Sequence, residues 1–214
     1  MYCWKVRLNC DPRVLKMDAK FFFYRAVVAI ALLSMSCSGE QRNVSGLYNV
    51  DSLFEKQIEY LLLHEAAIEK KAVLNGVEKI TTISPGDSVT WAEELSIFYE
   101  LDVVNKPIHK DIYKVEEFAD SRSNLSVRSY SATEDLPVKF LRIYYEKSLN
   151  NLRKIEAQYN EANSLYSSRR FLTLQFENVY NKTILTSYSI AGGQKMFLDD
   201  SVQYTIDANV VLNK

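Results

Sequence analysis

Two histidines, three cysteines and several adjacent carboxylates are the residues of this 214-residue chain with the chemistry to bind a metal or attack a substrate. His64 stands beside Glu65, and His109 stands with Lys110 and Asp111. Zinc takes three or four His, Cys or carboxylate ligands, and neither HExxH nor CxxC lies near either histidine, so no metal site is expected. No GxSxG segment is present, and nothing points to a Ser-His-Asp triad. Ala191-Gly192-Gly193-Gln194-Lys195 has the look of a phosphate loop but lacks its spacing and its following Ser or Thr. A bulge or tight turn between β segments is the expectation there. Asp199-Asp200 lacks the DxDxDG pattern of a calcium loop and reads as a solvated turn. Pairs such as Glu93-Glu94 and Glu116-Glu117 are candidates for carboxylate acid/base chemistry, for which sequence supplies no separation. The expectation is a protein that is not an enzyme and uses no cofactor, with a carboxylate-based hydrolase as an alternative.

The elements that must position these residues fall into two halves. Phe54, Ile58, Leu61, Leu62 and Ala66 recur at helical spacing and predict a helix over 52–68, with Ser52 as cap and Glu55 completing a capping box. Asn75-Gly76 between β-branched segments predicts a hairpin over 70–83, the competing reading being a helix C-cap at Gly76. Asp87 caps a second helix carrying Trp91, Leu95 and Phe98 on one face and ending before Asn105-Lys106-Pro107. Trp91 is read as core.

From Tyr113 onward apolar and polar residues alternate with period two, as in 138–145, 172–177, 184–190 and 202–210. Short connections such as Ser148-Leu149-Asn150-Asn151, Asn181-Lys182 and Asp199-Asp200 imply antiparallel neighbours. The fold class is α+β: two N-terminal helices and a hairpin packed on an antiparallel meander of about six or seven strands, in one domain over 51–214.

The amino end has a different character. Arg25, the apolar run Ala26 to Leu33 and then Ser34-Met35-Ser36-Cys37 follow the order of a secretory signal over residues 1–36, and the run is too short to span a bilayer. Met17 offers a better start than Met1, because MDAKFFFYRAVVAIALLSMSC has ordinary signal length with Lys20 and Arg25 as its positive region. Cleavage before Cys37 leaves 178 residues with 20 basic and 25 acidic side chains, a net charge of −5. Such a balance gives no reason to expect a nucleic-acid partner.

The Cys37 segment resembles the lipobox of bacterial lipoproteins, although Ser34 holds the place usual for Leu. That resemblance implies acylation of Cys37, with residues 37–50 as tether. In support, Cys37 would be the single thiol of the mature chain, and Ser38-Gly39-Glu40-Gln41-Arg42 is polar; a plain free thiol is the alternative. Asp51-Ser52-Leu53, Asp87-Ser88-Val89 and Asp200-Ser201-Val202 resemble the O-glycosylation sites of Bacteroidota. Twelve tyrosines follow the signal, several on the meander, and most are read as structural.

Taken together, SMSC, VDSLFEKQIEYLL, TWAEELSIFYELDVVNKP and SYSIAGGQKMFLDDSVQYTIDANV resemble small Bacteroidota lipoproteins without an assigned activity. A fainter likeness, of architecture only, is to the periplasmic lipoprotein carriers of the Lol pathway. The signal and the lack of a catalytic constellation lead to a non-enzymatic protein tethered through Cys37 to the outer membrane, with a binding or structural role and an envelope protein as partner, and Ser38 after the Cys points to outer-membrane retention on the periplasmic face. The alternative is a carrier holding a lipid or other hydrophobic ligand in a curved-sheet pocket.

Overall fold

The computed structural model describes residues 48–109, 111–179, 182–197 and 200–212. The expected signal, Met17, Cys37 and nearly all of the tether lie outside the described residues, as do Lys110, Tyr180, Asn181 and Asp199.

Helix α1 (Val50–Leu63) begins earlier than expected, and its cap is Asn49, whose side chain accepts the Ser52 amide at 2.8 Å; Ser52 itself is not the cap. Asn is as good an acceptor there as Ser, and the earlier start buries Val50 together with Phe54, Ile58 and Leu61. The helix stops at Leu63 instead of 68. Glu65 takes a left-handed φ of 47°, Ala66 donates to the Leu61 carbonyl at 2.9 Å and Glu65 to Leu62 at 3.1 Å, which is a Schellman ending built without glycine.

Strands β1 (Ala67–Leu74) and β2 (Val77–Ile83) form the expected hairpin. Asn75 and Gly76 both have positive φ, 48° and 85°, as a type I′ turn demands. The C-cap reading of Gly76 is thereby excluded.

Asp87 caps α2 (Ser88–Glu94) as expected, accepting the Thr90 amide at 2.7 Å. The single helix expected up to Asn105 is instead broken into α2, a short α3 (Ser96–Tyr99) and 3-10 turns over Glu100–Asn105 and Pro107–His109. The buried residues explain this. Leu95, Phe98, Leu101 and Val104 follow one another every three positions, which keeps them on one face only if the chain winds with three residues per turn.

Strands β3 (Tyr113–Ala119), β4 (Ser126–Ala132), β5 (Val138–Tyr145), β6 (Leu152–Ala162), β7 (Tyr166–Val179), β8 (Lys182–Met196) and β9 (Val202–Val211) form the seven-stranded meander. The hairpin does not pack on this meander as a separate layer. It extends the same sheet, because β1 pairs with the free edge of β9, Ile68 opposite Val210 and Leu74 opposite Tyr204. One nine-stranded antiparallel sheet results, in the order β2-β1-β9-β8-β7-β6-β5-β4-β3. An unpaired edge on β9 would leave a row of backbone donors and acceptors to water or to aggregation, and β1 satisfies them.

Residues opposite one another in an antiparallel ladder share a face. Ile143, Ile155, Leu174, Tyr188 and Ala208 form one such row, Leu141, Ala157, Leu172 and Ile190 the next, and the described helices lie against this face. Trp91, Phe54, Phe98, Leu101 and Leu61 fill the layer between, with Phe98 meeting Tyr188 edge-on at 5.5 Å and Phe54 6.2 Å from Phe98. Trp91 is wholly buried, as its reading as core requires.

Alternation slips within β8, since Gln175 faces Ser187 but Phe176 faces Leu185, leaving Thr186 as the extra residue of a bulge. The slip turns Leu185 onto the helix-covered face. Pairing of β8 with β9 also stops at Ser187–Asn209, so Thr183 and Leu185 lie beyond the reach of β9. Gln57 of α1 takes its place: its amide donates to the Thr183 carbonyl at 2.9 Å and accepts the Leu185 amide at 2.7 Å, mimicking a neighbouring strand. Gln57 is 4% exposed.

Several tyrosines read as structural are buried deeply enough for their ionisation to be coupled to folding. Burial pushes Tyr48, Tyr113 and Tyr144 up to about 12 from an ordinary value near 10, with Glu156 adding to the effect at Tyr144. Tyr188 is raised further, by burial and then by Glu94. The folded state therefore holds more protons than the unfolded state between about pH 10 and 12, so stability falls as pH rises through that window. Titration of tyrosinate absorbance alongside circular dichroism is expected to show a late-ionising group of tyrosines appearing together with alkaline unfolding. Smooth ionisation of all tyrosines with the fold intact would contradict this.

Candidate functional site

The residues singled out for chemistry are dispersed. His64 hydrogen-bonds through Nδ1 with the Tyr60 carbonyl at 2.8 Å and stacks on the Tyr60 ring at 4.0 Å, while His109 Nδ1 lies 3.1 Å from the Val103 carbonyl. His64 serves the end of α1, and His109 ties its 3-10 turn back to the preceding one. Glu93 points outward and Glu94 inward, where Glu94 accepts a hydrogen bond from the Tyr188 hydroxyl and pairs with Lys70. This trio ties α2 to β8 and β1. Glu116 and Glu117 project from opposite faces of β3, Glu116 toward Lys114 at 2.8 Å and Glu117 onto Arg128 at 2.5 Å. Neither carboxylate pair converges on a common point. Among the described residues no group of three or more His, Cys, Asp or Glu is arranged to hold a metal ion.

Gly192-Gly193 is neither bulge nor turn. Both lie within β8 in regular register, opposite Arg170 and Arg169 on β7 and Tyr204 and Gln203 on β9. The reason for glycine is the neighbouring strand. A Cβ at Gly192 would come within 2.8 Å of the Arg169 carbonyl oxygen and 3.0 Å of the phenolic end of Tyr204, and one at Gly193 within 2.6 Å of the Gln203 amide nitrogen, so each glycine makes room for a cross-strand side chain. Asp200 stands in the connection to β9.

Gly193 and Gln203 belong to the face of the sheet away from the helices. Along the middle of that face runs the polar row Glu116, Ser129, Arg142, Glu156, Thr173, Ser189, Asp207 and Lys71. On β5 and β6 it is knitted together: the Tyr144 hydroxyl donates to Glu156 at 2.7 Å, Lys154 meets Glu156 at 2.8 Å, and the Lys154 ammonium lies 4.1 Å above the Tyr144 ring. Burial alone would raise the Glu156 carboxyl, but the hydrogen bonds from Lys154 and Tyr144 outweigh it and hold Glu156 below its ordinary range. Arg142 covers Phe140 at 4.8 Å.

Toward the far ends of β6 to β9 the open face deepens into a trough of about 730 Å³. Most of its lining comes from two rows, Phe171–Ala191–Thr205 and Asn160–Arg169–Gly193–Gln203, with Ser167 and Lys195 beyond and Glu161 at its β6 side. Phe171 is 46% exposed in the middle of this polar surface. The tip of the β1–β2 hairpin closes one side, where Asn75 exchanges hydrogen bonds with Gln203 at 2.9 Å through its amide and through its side chain. None of these residues apart from the glycines and Lys195 stood out in the sequence. The one available signal was Phe171, a large apolar residue on the polar phase of β7's alternation.

Two further clefts border α1. One of about 540 Å³ lies among Tyr48, Lys56, Tyr60, Asn150 and Lys182, and an apolar groove of about 580 Å³ runs between α1 and α2 past Ile58, Leu62, Val89 and Ala92. No described helix is long and apolar enough to cross a membrane.

Comparison of the chain with protein-family models, with curated proteins and with solved structures finds no match in any of the three.

Proposed function

We propose that this chain is an exported envelope protein, anchored to the periplasmic face of the outer membrane through acylated Cys37, whose domain binds a ligand or partner through the open face of its sheet. The observation that carries the reading is the asymmetry of the sheet. One face supports the helices over a filled core, and the other presents a polar surface with a trough in it. A dispersed set of titratable residues supports binding over catalysis.

The carrier alternative asks for a hollow between sheet and helices, where Trp91, Phe98, Leu141, Ile155 and Leu174 instead pack together; the apolar groove between α1 and α2 lies on the outer side of the helices. The hydrolase alternative asks for converging carboxylates, and both pairs proposed for it diverge. Labelled palmitate supplied to a bacterial host expressing the full chain tests the anchor. Label is expected in the wild type and absent in Cys37→Ala; equal label in both, or none in either, would refute the tether.

A further inference from the structure

We infer that the trough on the open face is a binding site for an acidic oligosaccharide, one bearing uronic acid or sulfate groups. The inference rests on the reading of this face as a binding surface and gives it a ligand class.

Three features of the trough point the same way. Phe171 offers an aromatic surface that the chain leaves uncovered, with only the small Ala191 opposite it on β8 and Gln158 on β6. An exposed ring of this kind stacks on the C–H face of a sugar, removing apolar area from water without needing a deep pocket. The next row, about 7 Å along the strands, supplies planar hydrogen-bonding groups from Asn160, Arg169 and Gln203. Gly193 makes room for the Gln203 amide on the floor, since a Cβ there would come within 2.6 Å of its nitrogen, and an amide offers both a donor and an acceptor to sugar hydroxyls. Flat amides beside an aromatic platform form a surface suited to rings carrying both apolar faces and hydroxyl edges.

Charge narrows the class. From Cys37 onward the chain is net negative, yet of the charged residues lining the trough two, Arg169 and Lys195, are cationic, and the third, Glu161, is already engaged by the Tyr166 hydroxyl and, at 3.9 Å, by Arg170. A cationic stretch on an acidic protein selects an anionic ligand, and a guanidinium fork is matched to carboxylate or sulfate oxygens. A neutral sugar would leave both cations without a role. An acidic peptide would satisfy the cations but has no reason to need Phe171.

The test uses the full chain and three probes: hexameric oligogalacturonate, neutral maltohexaose and oligoglutamate. Binding is followed by calorimetry at low and moderate salt. Oligogalacturonate is expected to bind, more weakly as salt rises, and maltohexaose to bind at least tenfold more weakly. Phe171→Ala and Arg169→Gln are each expected to weaken oligogalacturonate about tenfold or more, with Lys79→Gln on the exposed β2 edge as a neutral control. Circular dichroism confirms that each variant is folded, which the half-exposed setting of Phe171 favours.

Absence of oligogalacturonate binding, or binding indifferent to Phe171→Ala, would overturn the inference, as would oligoglutamate binding as tightly. The outcome is separable from the anchor: a chain that takes up palmitate but ignores the acidic sugar fails here alone, and one that binds the sugar without label fails only the tether.

Discussion

Trp91→Ala is expected to remove about 3–5 kcal/mol of stability, since Trp91 is the largest fully buried side chain among the described residues. Trp91 is completely buried in the core cluster that the helices share with the sheet, and its removal leaves a void among closely packed side chains. Such a framework collapses poorly onto a cavity, so the transfer and cavity contributions add. In a chain of this size the loss corresponds to a fall in Tm of about 8–15 °C. Trp91→Phe separates the two parts of the argument. The indole N–H has no acceptor among the described residues, so the ring carries an unsatisfied donor into the core. Phenylalanine restores most of the volume and deletes that donor, and is expected to cost far less than alanine. Thermal unfolding followed by circular dichroism checks both; equal losses for Phe and Ala would mean that cavity filling does not govern this site.

The second large effect belongs to Gln57. Gln57→Leu keeps the volume but leaves the Thr183 carbonyl and the Leu185 amide without their partner, at about 1–3 kcal/mol for each buried group, or about 2–6 kcal/mol together. Hydrogen exchange at the Leu185 amide is expected to accelerate well beyond that of β8 residues paired with β9. Gln57→Glu is the sharper variant. A carboxylate can accept from Leu185 but has no proton for Thr183, and two oxygens would face each other in a buried setting. Protonation repairs the contact, so the folded state favours the neutral acid and raises its pKa. A raised carboxyl costs stability above its unfolded value of about 4.3, so the variant is expected to approach wild type below that pH and lose stability as pH rises through and beyond it. A deficit independent of pH would show that the amide is not pairing with the β8 backbone.

The remaining contrasts concern what local chemistry settles and what it leaves open. Asn75-Gly76 specified its hairpin because two successive positive φ values are cheap for that pair and few others. Asp87 specified a helix start through one side-chain acceptor, and period-two alternation marked the strands of the meander. All of these are contacts within a few residues. The cap of α1 was misplaced because Asn49 and Ser52 are comparable acceptors, and burial of Val50 decided between them. Spacing alone predicts a continuous second helix because periods of 3.6 and 3.0 differ little over a dozen residues.

Sequence by itself determined an α+β chain with an antiparallel meander and no recognisable catalytic motif. Tertiary structure alone decided that the hairpin joins the same sheet, that Gln57 stands in for a missing strand, and that Gly192-Gly193 makes room for Tyr204 and Gln203. The physical reason is common to all three. Each depends on backbone groups or side chains brought together from positions far apart in the chain, Leu74 opposite Tyr204 and Gln57 beside Leu185, and no local spacing encodes which partner will arrive. The trough belongs with them, for Asn160, Phe171, Gly193 and Gln203 become neighbours only when four strands lie side by side in register.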